Sequence, residues 1–303
     1  MNIDYSVLSK EEIAVFKLRS IYKKHGYSHF KMSKFEEYDL YARNKDFLVS
    51  DNVITFNDTD GKLLALKPDV TLSIIKNTKD GETRKLYYDE NVYRVSGSNG
   101  SFKEIMQAGL ECIGEINEAN LSEVILLAAK SLEAFSDDYV LDITHLGIIS
   151  ALTEALNISG EAKKEVIKCI SEKNLHGIDF VCESENADKE ALDKLKKLVA
   201  LNGSASKVIP QIEEILKGEY AEFTDSLSAV TEGFGDDDKI RIDFSVISDM
   251  NYYNGIVFKG FINGIPSGIL SGGQYDKLMK KLRKNSCAAG FAVYLDMLEL
   301  LGD

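Results

Sequence analysis

The sequence has no long apolar run, no paired cysteines and a shortage of basic residues. No apolar stretch reaches the roughly 18–20 residues that a membrane span requires, and the first residues, MNIDYSVLSKEE, lack the basic and apolar regions of a signal peptide. The four cysteines form no CxxC pair, and the four histidines show no metal-ligand spacing. We therefore expect a cytoplasmic protein with reduced cysteines, no bound metal and no cofactor.

The charge balance is acidic. The 303 residues carry 49 acidic and 36 basic side chains, which gives a formal net charge of −13. Nucleic-acid binders usually present a basic surface because Lys and Arg neutralise phosphates, so nucleic acid is an unfavoured partner. A content of 44% hydrophobic and 28% charged residues is typical of a globular protein with one large domain or two ordinary ones.

Three successive regions of the chain differ in their periodicity. Strand and helix patterns alternate in 1–146, helical patterns with clustered charges dominate 147–236, and strand patterns return in 237–303. This order predicts an α+β fold, with 1–146 and 237–303 as the core domain and 147–236 as a helical insertion module. The individual predictions are a helix at 9–25 closed by Gly26, a strand at 28–32, a hairpin from Asp51 to Leu66 with its turn at Asp60-Gly61, a helix beginning at Pro68, a hairpin at 84–114, a helix opened by Asn120 and Glu123, and a closing helix at 295–301.

Period-two alternation divides the strand 103–114 into two faces. The apolar face, which suits a core, consists of Met106, Ala108, Leu110 and Cys112. The other face presents Gln107, Gly109 and Glu111, where a glycine between a carboxamide and a carboxylate leaves an open polar floor for a ligand. Glu111 suits an ammonium group, and Gln107 suits a carboxylate or an amide. The alternative interpretation is a polar strand face turned to solvent.

Four other segments have the composition of a site, and each has a simpler alternative. Asp69 and Thr71 lie at a predicted helix start, where capping the helix is the alternative role. The paired tyrosines of MNYYNG (250–255) are alternatively turn packing, and the glycines of SGGQYDKL (271–278) a close strand contact. The loop SGSNGS (96–101) offers backbone N–H groups to phosphate, but it holds no Lys or Arg, which favours a plain hairpin loop.

Taken in order, five segments resemble the class II aminoacyl-tRNA synthetases of the histidyl type. They are similar to that family's leucine-arginine-proline-acid-x-threonine segment, motif 2, histidine signature, glycine-glycine-arginine-tyrosine-aspartate segment and motif 3. In the same order, the segments here are LALKPDVT (64–71), NVYRVSGSNGSFKEIMQAGLECIG (91–114), MNYYNGIVF (250–258), SGGQYDKL (271–278) and CAAGFAVYLDML (287–298). The resemblance implies an antiparallel sheet flanked by helices and a symmetric dimer.

Several positions depart from the synthetase pattern. Arg94 occupies the place of the motif 2 arginine, which grips the α-phosphate of ATP in the family. Met297 stands where motif 3 has an arginine, and Ser248 replaces an arginine that assists activation. Losing one such donor typically costs about 3–4 kcal/mol of transition-state stabilisation. The signature aspartate is Asn251, and the arginine after the glycine pair is Gln274.

The positions that recognise histidine in the family retain suitable side chains. The resemblance implies a histidine-binding set that consists of Asp69, Thr71, Gln107, Glu111, Tyr252, Tyr253 and Tyr275. A pocket that holds an amino acid without activating it is typical of a sensor, and this profile resembles the regulatory subunits of ATP phosphoribosyltransferase, a glycosyltransferase. That likeness implies a non-catalytic chain that binds L-histidine, pairs with itself and with a short-form catalytic subunit in a hetero-oligomer, and mediates feedback on the first step of histidine biosynthesis.

Two alternatives stay open. The first is a divergent histidyl-tRNA synthetase-like enzyme that activates an amino acid, which Arg94 favours. The second is a binding module for another small molecule, which Asn251 and Gln274 favour. Because the sequence stops at Asp303, directly after the motif 3 segment, we expect no anticodon-binding domain.

Overall fold

The computed structural model describes residues 5–45, 48, 52–96, 100–247, 250 and 252–301. Within these ranges the strands are β1 Ser28–His29, β2 Phe35–Glu37, β3 Thr55–Asn57, β4 Leu63–Leu66, β5 Arg84–Ser96, β6 Ser101–Gly114, β7 Tyr139–His145, β8 Asn202–Ser204, β9 Ile240–Asp243, β10 Ile256–Ile262, β11 Leu270–Gln274 and β12 Cys287–Tyr294. The helices are α1 Lys10–Lys24, α2 Tyr38–Ala42, α3 Thr71–Asn77, α4 Glu118–Glu133, α5 Leu146–Ala155, α6 Gly160–Ser171, α7 Leu175–Ser184, α8 Lys189–Val199, α9 Ala205–Leu216, α10 Ala221–Thr231 and α11 Asp276–Lys281, and short 3₁₀ helices cover Tyr5–Val7, Glu232–Phe234 and Leu295–Leu300.

Within the described ranges, one sheet of nine strands organises the fold. Its strand order is β1-β5-β6-β12-β11-β10-β7-β9-β8, and a second sheet has the order β2-β4-β3. Most neighbours in the large sheet are antiparallel, but β1 runs parallel to β5 and β7 runs parallel to β9. The predicted α+β class is therefore confirmed, with a sheet that is mixed at two pairings.

Both faces of the large sheet are covered, and this places the polar face of β6 inside the protein. Ala108, Leu110 and Cys112 pack in the main core, as the alternation predicts. On the opposite face, Ile113 belongs to a second core with α3, β4 and α11. The interpretation of that face as solvent-facing is wrong, because these elements lie over it and its polar residues are buried.

Two helix starts show how local signals can be confirmed or misplaced. Helix α1 begins with the capping box of Ser9 and Glu12, and Gly26 follows it at φ +82°, so this helix is confirmed. Helix α4 begins three residues before the predicted start. Asn117 is the cap and Asn120 is its partner in the box, so the predicted Asn120–Glu123 pair is wrong.

Helix α3 begins later in the chain than the sequence predicts. The helix begins at Thr71 instead of Pro68. The Asp69 carboxylate accepts the Leu72 N–H at 2.8 Å, so Asp69 lies before the first turn. The hairpin of β3 and β4 has its turn at Asp60-Gly61 as predicted, with Gly61 at φ +85°; Asp51 lies outside the described residues.

Of the three remaining predicted segments, one is confirmed and two agree only in part. The hairpin at 84–114 is confirmed as β5 and β6. The strand predicted at 28–32 ends at His29, and the closing helix at 295–301 is a 3₁₀ helix.

The segment 147–236 is helical, with one addition. Helices α5 to α10 follow one another, and their apolar residues join the same main core as the sheet. The short strand β8 pairs with β9 at the end of the large sheet, although no strand is predicted in this segment. Three residues, Asn-Gly-Ser, carry no alternation that could indicate a strand. No helix in the described ranges is long and apolar enough to cross a membrane.

Candidate ligand pocket

The centre of the candidate site is the Glu111 carboxyl group on β6. Glu111 is only 2% exposed. The Thr71 hydroxyl at the start of α3 donates to its Oε1 at 2.6 Å, and the Tyr275 hydroxyl, just before α11, donates to its Oε2. Gly290 of β12 lies directly opposite, and a Cβ atom there would stand 1.9 Å from Oε2. Four elements therefore converge on one buried carboxyl group.

This carboxyl group has hydroxyl partners but no cation. Burial raises the pKa of Glu111 to about 8, the nearby charge of Asp69 adds to the increase, and the hydrogen bonds from Thr71 and Tyr275 only partly offset it. No ion pair joins Glu111 to a Lys or Arg in the part of the chain that the structure describes. A ligand ammonium group would supply the missing positive charge, since a buried carboxylate is stable only when paired.

Tyr252, Tyr253 and Tyr275 lie together next to the Glu111 carboxyl group. The ring centroids of Tyr252 and Tyr253 are 4.6 Å apart, and those of Tyr252 and Tyr275 are 5.7 Å apart. Burial raises the pKa of Tyr252 and of Tyr275 well above the ordinary value, so both hydroxyls stay neutral donors. The structure thus brings the paired tyrosines and Tyr275 together as an aromatic wall beside the Glu111 carboxyl group.

Asp69 and Arg94 form a neighbouring pair. Arg94 is 7% exposed; its Nε donates to the Pro68 carbonyl at 2.5 Å, and its Nη2 lies 3.7 Å from Asp69 Oδ2. Burial raises the pKa of Asp69, and Arg94 and the backbone N–H of Leu72 oppose that increase. Asp69 therefore both caps α3 and faces the arginine, whereas Thr71 does not cap the helix and serves Glu111.

Gln107 lies on the same strand face as Gly109 and Glu111. It is 2% exposed, opposite Tyr294 of β12 and Glu90 of β5. Its Nε2 has no hydrogen-bond partner among the described residues. A buried donor left without a partner typically costs about 1–3 kcal/mol, and a ligand acceptor would remove that cost.

Tyr88 is a pocket residue that sequence reasoning missed. It pairs with Gly109 across β5 and β6, and a Cβ at position 109 would stand 2.6 Å from its hydroxyl. The predicted open floor at Gly109 is wrong, because Tyr88 and the Phe291 carbonyl fill that space. The sequence signal for this contact is an aromatic residue opposite a glycine on the neighbouring strand, and it can be recognised only when the register of the two strands is known.

The remaining motif residues have structural partners or lie outside the described ranges. Gln274 Oε1 accepts the Ile256 N–H at 3.0 Å, so its side chain links the end of β11 to the start of β10. Met297 packs against the main core, and the Ser267 hydroxyl approaches its sulfur at 3.7 Å. Ser248, Asn251, Asp303 and residues 97–99 of the SGSNGS loop lie outside the described residues.

Comparison with known proteins identifies the family of this architecture. The histidyl-tRNA synthetase family model matches residues 7–298. The ATP phosphoribosyltransferase regulatory subunit of Caldanaerobacter subterraneus subsp. tengcongensis is 33% identical over 298 residues, covering 94% of this chain and 76% of the relative.

Solved structures share the fold. A protein of Bacillus halodurans, described as an ATP phosphoribosyltransferase regulatory subunit/histidyl-tRNA synthetase, superposes with a TM-score of 0.81 at 24% identity, covering 97% of this chain and 79% of that one. A chain of the ATP phosphoribosyl transferase (HisG:HisZ) complex from Thermotoga maritima superposes with a TM-score of 0.72 at 19% identity, covering 97% of each chain.

Proposed function

The chain belongs to the family of ATP phosphoribosyltransferase regulatory subunits, which is built on the histidyl-tRNA synthetase fold, and we propose that it is a non-catalytic sensor of L-histidine within that complex. In this proposal histidine binds the Glu111 pocket and reduces the activity of a short-form catalytic subunit. The result is feedback control of the first step of histidine biosynthesis.

The observation that carries the proposal is the buried Glu111 carboxyl group without a cation. Thr71 and Tyr275 hold both of its oxygens in place, so the acceptor is preorganised for an ammonium group. The half-buried Asp69 adds a second carboxylate, whose charge raises the pKa of Glu111 and would also attract a ligand ammonium group. Two acids and one free donor in a pocket suit an amino acid, which has both an ammonium and a carboxylate group.

The other ligand groups can be assigned to the remaining side chains. The unpartnered Nε2 of Gln107 would donate to the carboxylate, and Thr71 would complete the polar contacts. The imidazole would lie against the rings of Tyr252 and Tyr253, since an aromatic wall suits a flat heteroaromatic ring. Glu111 and Asp69 would share the ammonium group.

The arrangement of cations supports the loss of catalysis. Attack of a carboxylate on ATP needs positive groups that offset concentrated negative charge. Arg94 is already bound to the Pro68 carbonyl and faces Asp69, and Met297, in the place of the motif 3 arginine, packs against the core. A thioether cannot neutralise a phosphate.

Regulation requires histidine to bind two states of the complex with different affinity. A coupling free energy of about 1–3 kcal/mol is typical of such regulation. We propose that the chain forms a dimer within a larger hetero-oligomer with the catalytic subunit, and that histidine favours the arrangement of low activity.

Calorimetric titration of the purified chain with L-histidine, followed by ATP in the same cell, tests the proposal. We expect saturable heat from histidine and none from ATP. Addition of the short-form catalytic subunit should then give a complex whose phosphoribosyl transfer decreases with histidine. No heat from histidine, with or without the catalytic subunit, would contradict the sensor function.

The second candidate is an enzyme that activates an amino acid. It is favoured by Arg94, which is buried at the position of the motif 2 arginine and close to the pocket. ATP–pyrophosphate exchange in the presence of histidine distinguishes the two candidates. Exchange that depends on histidine and is lost in Arg94→Met would establish the enzyme and exclude the sensor.

A further inference from the structure

The Asp243 carboxylate at the end of β9 joins two parts of the chain. It is 3% exposed. Its Oδ2 accepts hydrogen bonds from Lys173 Nζ at 2.6 Å and from Asn202 Nδ2 at 2.7 Å, both in the helical segment 147–236. Its Oδ1 accepts the backbone N–H of Ser245 at 2.9 Å and the Ser245 hydroxyl at 2.7 Å. One carboxylate oxygen thus binds the helical segment 147–236, and the other binds Ser245, which precedes Tyr252 and Tyr253 in the chain.

The segment after Asp243 reaches the pocket tyrosines through a small apolar cluster. Val246 and Val257 are buried together with Leu146, and Tyr253 packs against them. The Val246 N–H also donates to the Asp243 carbonyl at 3.2 Å. The position of Val246, which Asp243 and Ser245 fix from one side, therefore bears directly on where the Tyr253 ring lies.

The Asp243 carboxylate and the charged groups next to it have partners within the protein. Burial raises the pKa of Asp243, but hydrogen bonds from Lys173 and Ser245 lower it further, and the result lies below the ordinary value. The neighbouring Asp142 and Arg241 bind each other through two contacts of 2.9 and 3.3 Å. Asp142, Arg241, Lys173 and Asp243 thus pair with one another at the edge of a cavity of about 530 Å³, and we interpret the cluster as a connection between elements.

We propose that Asp243 is a positioning residue through which the helical segment 147–236 determines the placement of Tyr252 and Tyr253 in the ligand pocket. Lys173 and Asn202 hold Oδ2, this fixes the carboxylate, and Oδ1 then fixes the start of the tyrosine segment. The proposal rests on the proposed function only in taking the tyrosines to contact the ligand. According to this proposal the helical segment influences ligand affinity, although none of its helices contributes a residue to the set around Glu111.

Lys173→Met in the full chain tests the connection, because it removes the ion pair and keeps the apolar stem of a side chain that is 48% exposed. Lys196→Met is the matched control. Lys196 also binds an aspartate, Asp179, at 2.6 Å, but both partners lie within the helical segment. Lys173→Arg keeps the charge and should behave as wild type.

Two measurements are compared among these variants. The first is the NMR signals of isotopically labelled tyrosine rings without ligand, assigned with Tyr252→Phe and Tyr253→Phe. The second is the histidine affinity by calorimetry. We expect Lys173→Met to shift the ring signals of Tyr252 or Tyr253 and to weaken histidine binding about three- to tenfold, and Lys196→Met to do neither.

Unchanged ring signals in Lys173→Met would overturn the proposal whatever the affinity. Shifted signals with an affinity within about twofold of wild type would overturn it as well, since the placement would then not matter to the ligand. If the wild type binds no histidine, the proposed function fails, and the ring signals alone decide whether the helical segment places the tyrosines.

Discussion

Glu111 and Asp243 are two buried carboxyl groups with similar exposure, 2% and 3%, and opposite electrostatics. Burial raises the pKa of Glu111 to about 8, and the hydrogen bonds from its two hydroxyl partners only partly offset that increase. Asp243 has a lysine partner, and its pKa lies below the ordinary value despite burial. A buried acid whose cation comes from the chain itself is part of the architecture. Glu111 has no cation partner among the described residues, and under the proposed function the ligand supplies one.

The largest expected effect comes from removing the charge that the ligand needs. Glu111→Gln keeps the size of the side chain but cannot carry a negative charge. Truncating one partner of a buried charge pair typically costs about 2–5 kcal/mol, so we expect histidine affinity to fall by about 30-fold or more, measured by calorimetry. Glu123→Gln, a change at a partly exposed acid that pairs with Lys85, is the control and should bind as wild type. Equal binding by both variants would remove Glu111 from the site.

The second prediction concerns pH. Because an ammonium ligand needs the ionised form of Glu111, histidine affinity should increase with pH by about tenfold per unit below pH 8 and level off above it. The imidazole titrates near pH 6.5, so the window from pH 7 to 8 isolates the carboxyl group. Binding at pH 7 should release about one proton, measured by calorimetry in buffers of different ionisation enthalpy. A pH-independent affinity in this window would mean that Glu111 is already ionised.

The same pKa predicts a stability effect whose sign opposes that of Asp243. The pKa of Glu111 in the folded state lies above its ordinary value of 4.5, so the ligand-free folded state binds more protons than the unfolded state between about pH 4.5 and 8. Its contribution therefore decreases the free energy of unfolding as the pH rises through that range. The lowered pKa of Asp243 contributes stability that is present at neutral pH and lost in acid. Urea unfolding at pH 5.5 and 8 should show wild type losing stability relative to Glu111→Gln at the higher pH.

The next prediction concerns Lys173→Met, which removes the cation partner of Asp243 and so makes its surroundings resemble those of Glu111. Lys173→Met leaves the buried carboxylate with only neutral donors, so the pKa of Asp243 should increase and the protein should lose about 1–2 kcal/mol of unfolding free energy at pH 7. Urea unfolding of Lys173→Met and Lys173→Arg measures the loss. It should shrink as the pH is lowered, because protonation of Asp243 removes the unpaired charge. A loss that stays constant with pH would show that packing, not charge, is responsible.

The smallest expected effect concerns the free donor of the pocket. Gln107→Met replaces an amide whose Nε2 has no partner among the described residues by an apolar side chain of similar length. The free energy of unfolding should increase by about 1 kcal/mol, measured with urea, while histidine affinity decreases about five- to tenfold. A stability gain without a loss of affinity would show that Gln107 does not contact the ligand.

The sequence predicted the parts of the pocket that depend on local periodicity or on a family motif. Period-two alternation separated Glu111 from Leu110, and motif order brought Thr71 and Tyr275 to the same site although they are distant in the chain. Tyr88 was missed because its contact with Gly109 depends on strand register, which no local pattern determines. Lys173–Asp243 was missed because a lysine in a charged helical segment looks like any solvated lysine, and its partner is 70 residues away.

The candidate site depends on the absence of a side chain at Gly290, the residue opposite Glu111. A methyl group at Gly290 would meet the Glu111 carboxyl group at 1.9 Å and the Leu110 carbonyl at 2.3 Å, so even alanine would press on the ligand acceptor and on the strand that carries it. Under the proposed function, we expect replacement of this glycine to weaken ligand binding in a single substitution. Under the proposed function, the residue aligned with Gly290 should therefore distinguish relatives that bind histidine from relatives that do not.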